Sequence, residues 1–198
     1  MKSTEIELRG PLSKEAAERL ISFVKEKGVS GEQYTETAIF FNTDTHPAFG
    51  SYASGSARIQ ANQKLYSDGR ICQVSKMKVG NPSGAEREEF EIPFASHGLK
   101  SFMAMLKRLG ITEASFRSCQ RHDYDLGNIV LTLKFSHPVG DHYEAEITEG
   151  TQEDLRTFLD ELDLPIYEED EFKEIVMASR NQAPYISIDQ GIDECNIV

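Results

Sequence analysis

Six glutamates stand in pairs two residues apart: Glu5 with Glu7, Glu89 with Glu91, and Glu144 with Glu146. In an extended chain such residues share a face, so each pair aims two carboxylates in one direction. Pairs brought together from separate strands supply the hard oxygen ligands that Mg²⁺ or Mn²⁺ requires. Basic residues alternate in the same way: Arg9 follows Glu7 by two, Arg87 precedes Glu89 by two, Lys76 matches Lys78, Arg117 is in phase with Arg121, and Arg58 and Lys134 stand singly. Guanidinium and ammonium groups hold phosphate oxygens, Arg in bidentate fashion. A polyphosphate with its metal ions satisfies both signs at once.

The elements that would position these groups follow from the opposite faces of the same segments. Ile6 and Leu8 oppose Glu5, Glu7 and Arg9; Phe90 and Ile92 oppose Glu89 and Glu91; Tyr143, Ala145 and Ile147 oppose Glu144 and Glu146; Leu133 and Phe135 flank Lys134. The alternation predicts eight strands, over 4–9, 33–42, 56–62, 71–79, 86–92, 112–123, 128–135 and 142–148. Asp68-Gly69, Asn81 to Gly84 and Leu126-Gly127-Asn128 supply turn chemistry between neighbours. Helical periodicity marks Ala17, Leu20, Ile21 and Val24 between Ser13 and Gly28, then Leu99 to Leu109 before Gly110, and Leu155, Phe158, Leu159 and Leu162 after Thr151, with a weaker helix over 168–179. The class is α+β. Eight antiparallel strands tend to close, and amphipathic helices need an apolar surface to cover. The expectation is therefore an eight-stranded antiparallel β-barrel with helices outside and a charged interior, a tunnel. One domain over 1–180 and a C-terminal tail over 181–198, either surface or late edge segment, complete the organisation.

The chain has 198 residues, 39% hydrophobic, with a net charge of -12, a balance that disfavours general binding to nucleic acid or to an anionic membrane. The basic side chains of the proposed lining outnumber its glutamates, so an anion site would be local and enclosed. Cys72, Cys119 and Cys195 lie far apart, without metal-ligand spacing. With no leader-like segment and no apolar run long enough to span a bilayer, the expected location is the cytoplasm. The five histidines show no metal-binding spacing and read as surface or turn residues; Cys119 reads as a small neutral filler. The Gly/Ser-bearing stretch 46–55 reads as a loop at the tunnel mouth.

Taken in order, these residues resemble the CYTH domain proteins, or triphosphate tunnel metalloenzymes. Glu5-Ile6-Glu7-Leu8-Arg9 resembles the signature Glu-x-Glu-x-Lys, and the match continues through Arg58, Lys76 or Lys78, Arg87-x-Glu89-x-Glu91, Arg121-x-x-Tyr124, and Gly140 followed by Glu144-x-Glu146. It spans roughly the first 165 residues. The resemblance implies a tunnel that binds a triphosphate-containing small molecule (tripolyphosphate, thiamine triphosphate or a nucleoside triphosphate) with Mg²⁺ or Mn²⁺. Glu5, Glu7, Glu144 and Glu146 would hold metal, with Glu89 and Glu91 as further acidic lining. Arg9, Arg58, Lys76, Lys78, Arg87, Arg117, Arg121 and Lys134 would bind substrate, and Arg9, Glu7 and Glu146 would stand nearest the chemistry. The implied activity is metal-dependent triphosphate hydrolysis, one metal orienting the phosphate chain and a second activating water. Cyclisation of ATP is the alternative within the family. A binding module without turnover is the alternative outside it. That alternative is favoured by three departures from the family, Arg9 where Lys is usual, Gln60 where a second Arg often follows the first, and Lys134 where many members carry Asp; Cys119, near a frequent Lys position, is a fourth departure.

Overall fold

The computed structural model describes residues 6–43, 58–79, 88–95, 98–168, 170–172, 174–175 and 184–198, with the backbone alone at 58, 78, 79, 88 and 89. The elements run β1 (Ile6–Pro11), α1 (Lys14–Glu26), β2 (Glu32–Phe41), β3 (Arg58–Tyr66), β4 (Ile71–Val79), β5 (Glu88–Phe94), α2 (Gly98–Arg108), β6 (Glu113–Asp125), β7 (Ile129–Phe135), β8 (His142–Ile147), α3 (Gln152–Glu161), β9 (Ile186–Ser187) and α4 (Ile188–Glu194). Their pairing follows the order β1-β8-β7-β6-β2-β3-β4-β5, with β9 on β6. The architecture is α+β, with eight principal strands in a single antiparallel order as the alternation predicts. Among the described residues no pairing returns from β5 to β1.

The chain divides into two compact units. The β1 unit comprises Glu5–Tyr34 and Cys119–Ser179, and the β3 unit comprises Thr35–Ser118 and Arg180–Val198. The division falls within β2, after Tyr34, and within β6, after Ser118.

In the β1 unit the apolar faces of β1, β7 and β8 meet α1 and α3. Leu131, Leu133, Tyr143, Ala145 and Ile147 pack with Ala17, Leu20, Val24, Leu155 and Leu159, all buried. Ser13 caps α1 by accepting from the Ala16 amide at 3.1 Å, and Gly28 follows its end at φ +70, where only glycine is unstrained. A reciprocal capping box of Thr151 and Asp154 starts α3. After α3 the chain returns along β1: the Tyr167 amide donates to the Arg9 carbonyl at 2.8 Å, and the Tyr143 hydroxyl donates to the Pro165 carbonyl at 2.9 Å.

In the β3 unit Ile39, Phe41, Ile59 and Ala61 pack with Leu99, Met103 and Leu106 of α2. The Asp68-Gly69 turn joins β3 to β4, with Gly69 at φ +83. Residues 186–198 are ordered, with β9 paired to β6 and Ile188 and Ile197 buried in this core. The expectation for 181–198, a surface tail or a late edge segment, does not include α4. Leu109, assigned to the apolar stripe of α2, lies beyond its end and is 53% exposed.

Candidate functional site

Antiparallel register places the charged residues of the β1 unit in rows. Glu7 stands opposite Glu146 and Arg9 opposite Glu144 across β1 and β8; Glu144 stands opposite Thr132 across β8 and β7; Asp123 opposite Thr132 and Arg121 opposite Lys134 across β7 and β6. With the opposite face committed to the helices, Glu7, Arg9, Arg121, Asp123, Thr132, Lys134, His142, Glu144 and Glu146 share the other.

Glu144 is the hub. Its Oε2 meets Lys134 Nζ at 2.6 Å, and its Oε1 accepts from Arg9 Nε at 3.1 Å, with His142 Nε2 at 3.7 Å. Burial pushes a carboxyl up, yet Lys134, Arg9 and the neighbouring His142 hold that of Glu144 well below the usual carboxylate range. Burial would lower the pKa of Arg9, but the carboxylates of Glu7 and Glu144 reverse this and keep the guanidinium above its ordinary value. Arg9 also ion-pairs Glu7 and lies over the Phe172 ring, 5.0 Å from its centroid.

A second knot fixes Arg121. Its Nε donates to Asp123 Oδ1 at 2.8 Å and its terminal nitrogen to Thr132 Oγ1 at 3.3 Å. Thr132 Oγ1 donates to the same Asp123 oxygen at 2.9 Å, and the Tyr34 hydroxyl donates to Oδ2 at 2.5 Å. Burial raises the Asp123 pKa; Arg121 and the three hydrogen bonds together prevail and lower it. Sequence reasoning missed Asp123, Thr132, Tyr34 and Phe172. Asp123 was legible, being two residues after Arg121 and so on its face. Tyr124 of the matched Arg-x-x-Tyr stretch points the other way, into the core. His142, assigned to the surface, is 1% exposed because strand alternation turns it into the charged row.

In the β3 unit, Lys76 stands opposite both Gln60 and Glu91 and ion-pairs Glu91. Buried amides follow: Asn62 Nδ2 donates to Glu36 Oε1 at 2.7 Å, and Gln60 Nε2 to Asn62 Oδ1 at 3.4 Å. Arg117 lies over the Phe40 ring at 5.0 Å, with Nε 3.5 Å from Ser115 Oγ. Arg58 pairs with Lys78 and Lys78 with Glu89 in register. The side chains of those three residues, and the whole of Glu5 and Arg87, lie outside the described residues, as do 46–55 and the Asn81–Gly84 turn. Cys119 is buried, 5% exposed.

Among the described residues no group of three His, Cys, Asp or Glu side chains converges as a metal cage. The register opposition of Glu7 and Glu146 brings together two hard oxygen donors, a donor type that suits a hard cation. Both oxygens of Glu144 face cationic side chains.

No protein-family model matches the chain, and no curated protein matches it. Solved structures do. The PH1819 protein of Pyrococcus horikoshii superposes with a TM-score of 0.70 at 19% identity, covering 89% of this chain and 99% of that one. A proposed adenylate cyclase of Vibrio parahaemolyticus gives 0.59 at 17%, covering 89% and 99%. A proposed adenylyl cyclase of Hippeastrum with a dominant triphosphatase activity gives 0.57 at 20%, covering 84% and 90%. The chain shares the fold of these proteins. Within that fold the rows of the β1 unit fall on the strands that carry the expected Glu-x-Glu-x-Arg and Glu-x-Glu stretches. Among the described residues no helix is long and apolar enough to cross a membrane.

Proposed function

We propose that this protein binds a triphosphate-containing small molecule with Mg²⁺ or Mn²⁺ on the charged face of the β1 unit and hydrolyses its phosphoanhydride. The observation that carries this reading is the half-buried row in which Arg9, Lys134 and Arg121 alternate with Glu7, Glu144 and Asp123. An empty surface has little reason to hold so many charges out of water, since removing them from solvent is costly and is repaid only by close pairing or by a ligand. The Hippeastrum protein of this fold has triphosphatase activity, and the same chemistry suits these side chains.

Glu7 and Glu146, with Glu5 two residues before Glu7 in sequence, would hold the divalent ion. When bound, that ion supplies Lewis acidity and neutralises phosphate charge. Arg9, Lys134 and Arg121 offset the charge of the phosphate oxygens, most strongly where it develops during transfer. Arg9 serves as a clamp and does not act as a base, because Glu7 and Glu144 hold its proton more firmly still. Phosphate release from tripolyphosphate, ATP and thiamine triphosphate, each with Mg²⁺, Mn²⁺ or EDTA, tests the reading. Release that requires metal is expected; none from any of the three would overturn it. Cyclisation of ATP is the second reading, favoured by the Vibrio protein's fold and assignment. Chromatography of the ATP products separates the two.

A further inference from the structure

Two cationic side chains already divide the Glu144 carboxylate between them. Lys134 Nζ takes one oxygen at 2.6 Å and Arg9 Nε the other at 3.1 Å, with the Lys134 side chain only 11% exposed. Lys134 reaches Glu144 diagonally from β7, since its own register partner is His142 and that of Glu144 is Thr132. The ammonium is therefore seated by the ladder itself. A hard divalent ion seeks a carboxylate oxygen at about 2.0–2.6 Å. On Glu144 such an ion would sit beside two full positive charges, and displacing either would leave a buried charge without its partner. One strand step away two carboxylates, Glu7 and Glu146, stand opposite each other in register, and Arg9 links Glu7 to Glu144.

We propose that Lys134 is a built-in cation that takes the place of one divalent ion. Its ammonium is held by Glu144 and directed at phosphate oxygen, so the chain takes up a polyphosphate with one divalent cation, on Glu7 and Glu146, where two would otherwise be needed. This rests on the reading of the β1 unit as a polyphosphate site. An ammonium has three rotatable donors, enough to keep Glu144 while bonding to phosphate. It also cannot dissociate or be chelated. Residual uptake of polyphosphate in EDTA follows, weaker than with metal but present.

The test counts metal directly. The imido-bridged, non-hydrolysable analogue of tripolyphosphate is bound with Mn²⁺, the complex is dialysed to equilibrium, and bound Mn²⁺ is measured per bound analogue alongside its electron paramagnetic resonance spectrum. Wild type is expected to hold one Mn²⁺ with no Mn–Mn dipolar coupling. Lys134→Met keeps the length and removes the charge; it is expected to take a second, coupled Mn²⁺ and to lose at least tenfold in analogue affinity in EDTA. Lys134→Arg retains one. Two Mn²⁺ per analogue in wild type, or one in a folded Lys134→Met, overturns the proposal while leaving the polyphosphate reading in place. A wild type that takes up no analogue with Mn²⁺ overturns both. Should Lys134→Met fail to fold, the wild-type count decides alone.

Discussion

Asp123 fixes Arg121, one of the residues proposed to bind phosphate. It accepts from Arg121, Thr132 and Tyr34, and so fixes one edge of the Arg121 guanidinium. Asp123→Asn keeps the shape and weakens the charge-assisted bonds, and the expected result is a loss of about 1–3 kcal/mol in stability at neutral pH. The pH dependence follows from the sign of its shift. The folded-state pKa lies below that of the unfolded chain, so the stabilisation is complete above about pH 4 and is lost as pH falls through the lower, folded value. Glu144, held well below the carboxylate range, adds to the same window. Urea unfolding followed between pH 2 and 7 should show a shallower acid loss in Asp123→Asn than in wild type. Parallel curves would mean that Asp123 does not titrate with the fold. Glu146→Gln addresses the chemistry instead: turnover should fall at least a hundredfold with little change in melting temperature, and unchanged turnover would remove Glu146 from the site.

Elements decide whether such residues meet. Gly10 ends the charged run of β1 where a Cβ would overlap the Pro165 carbonyl oxygen and the Tyr143 ring, so the strand can approach the returning chain only without a side chain. Gly10→Ala should destabilise by about 1–3 kcal/mol and, by shifting β1, impair Arg9 as well. A thermal melt and tripolyphosphate titration would check both effects, and a variant indistinguishable from wild type in each would show that β1 can slide. The strands were legible because alternation survives in each: β4 matches its expected bounds, and the others begin or end within a few residues of theirs. The third was read four residues short, because Gln63 carries the apolar phase in β3 and a glutamine does not look like a core residue. Its amide instead anchors the final segment, donating to the Asn196 carbonyl at 3.2 Å. Helix α4 went unread for a related reason. Gly191 interrupts it, required by contact with the Phe116 ring, although Ser187 as cap and the spacing of Ile188, Ile192 and Cys195 were signals in plain view.

For the whole molecule, the -12 charge masks the local basic row proposed to bind phosphate. Composition reports a sum over all surfaces, whereas a polyphosphate responds to the local row in which Arg9, Lys134 and Arg121 are gathered. Face sharing was legible from spacing alone. The partner choices within the face were not: that Lys134 would bind Glu144, or that Tyr34 would close on Asp123, depends on register between strands far apart in sequence. The difference between a solvated face and a ligand-binding face can be measured as linkage. A ligand that binds only the folded state adds about 2.7 kcal/mol at roughly a hundred times its dissociation constant. For a chain of this length each kcal/mol raises Tm by about 2–4 °C, so saturating tripolyphosphate with Mn²⁺ should raise it by roughly 5–11 °C. Sulfate at equal ionic strength stabilises compact states generally, through exclusion from the surface, and should do much less. Arg121→Ala should shrink the tripolyphosphate shift and leave the sulfate shift alone. Amide exchange should slow in β1, β7 and β8, whose charged faces would hold the ligand. Equal shifts with the two anions, or a full tripolyphosphate shift in Arg121→Ala, would make the row an ordinary solvent face.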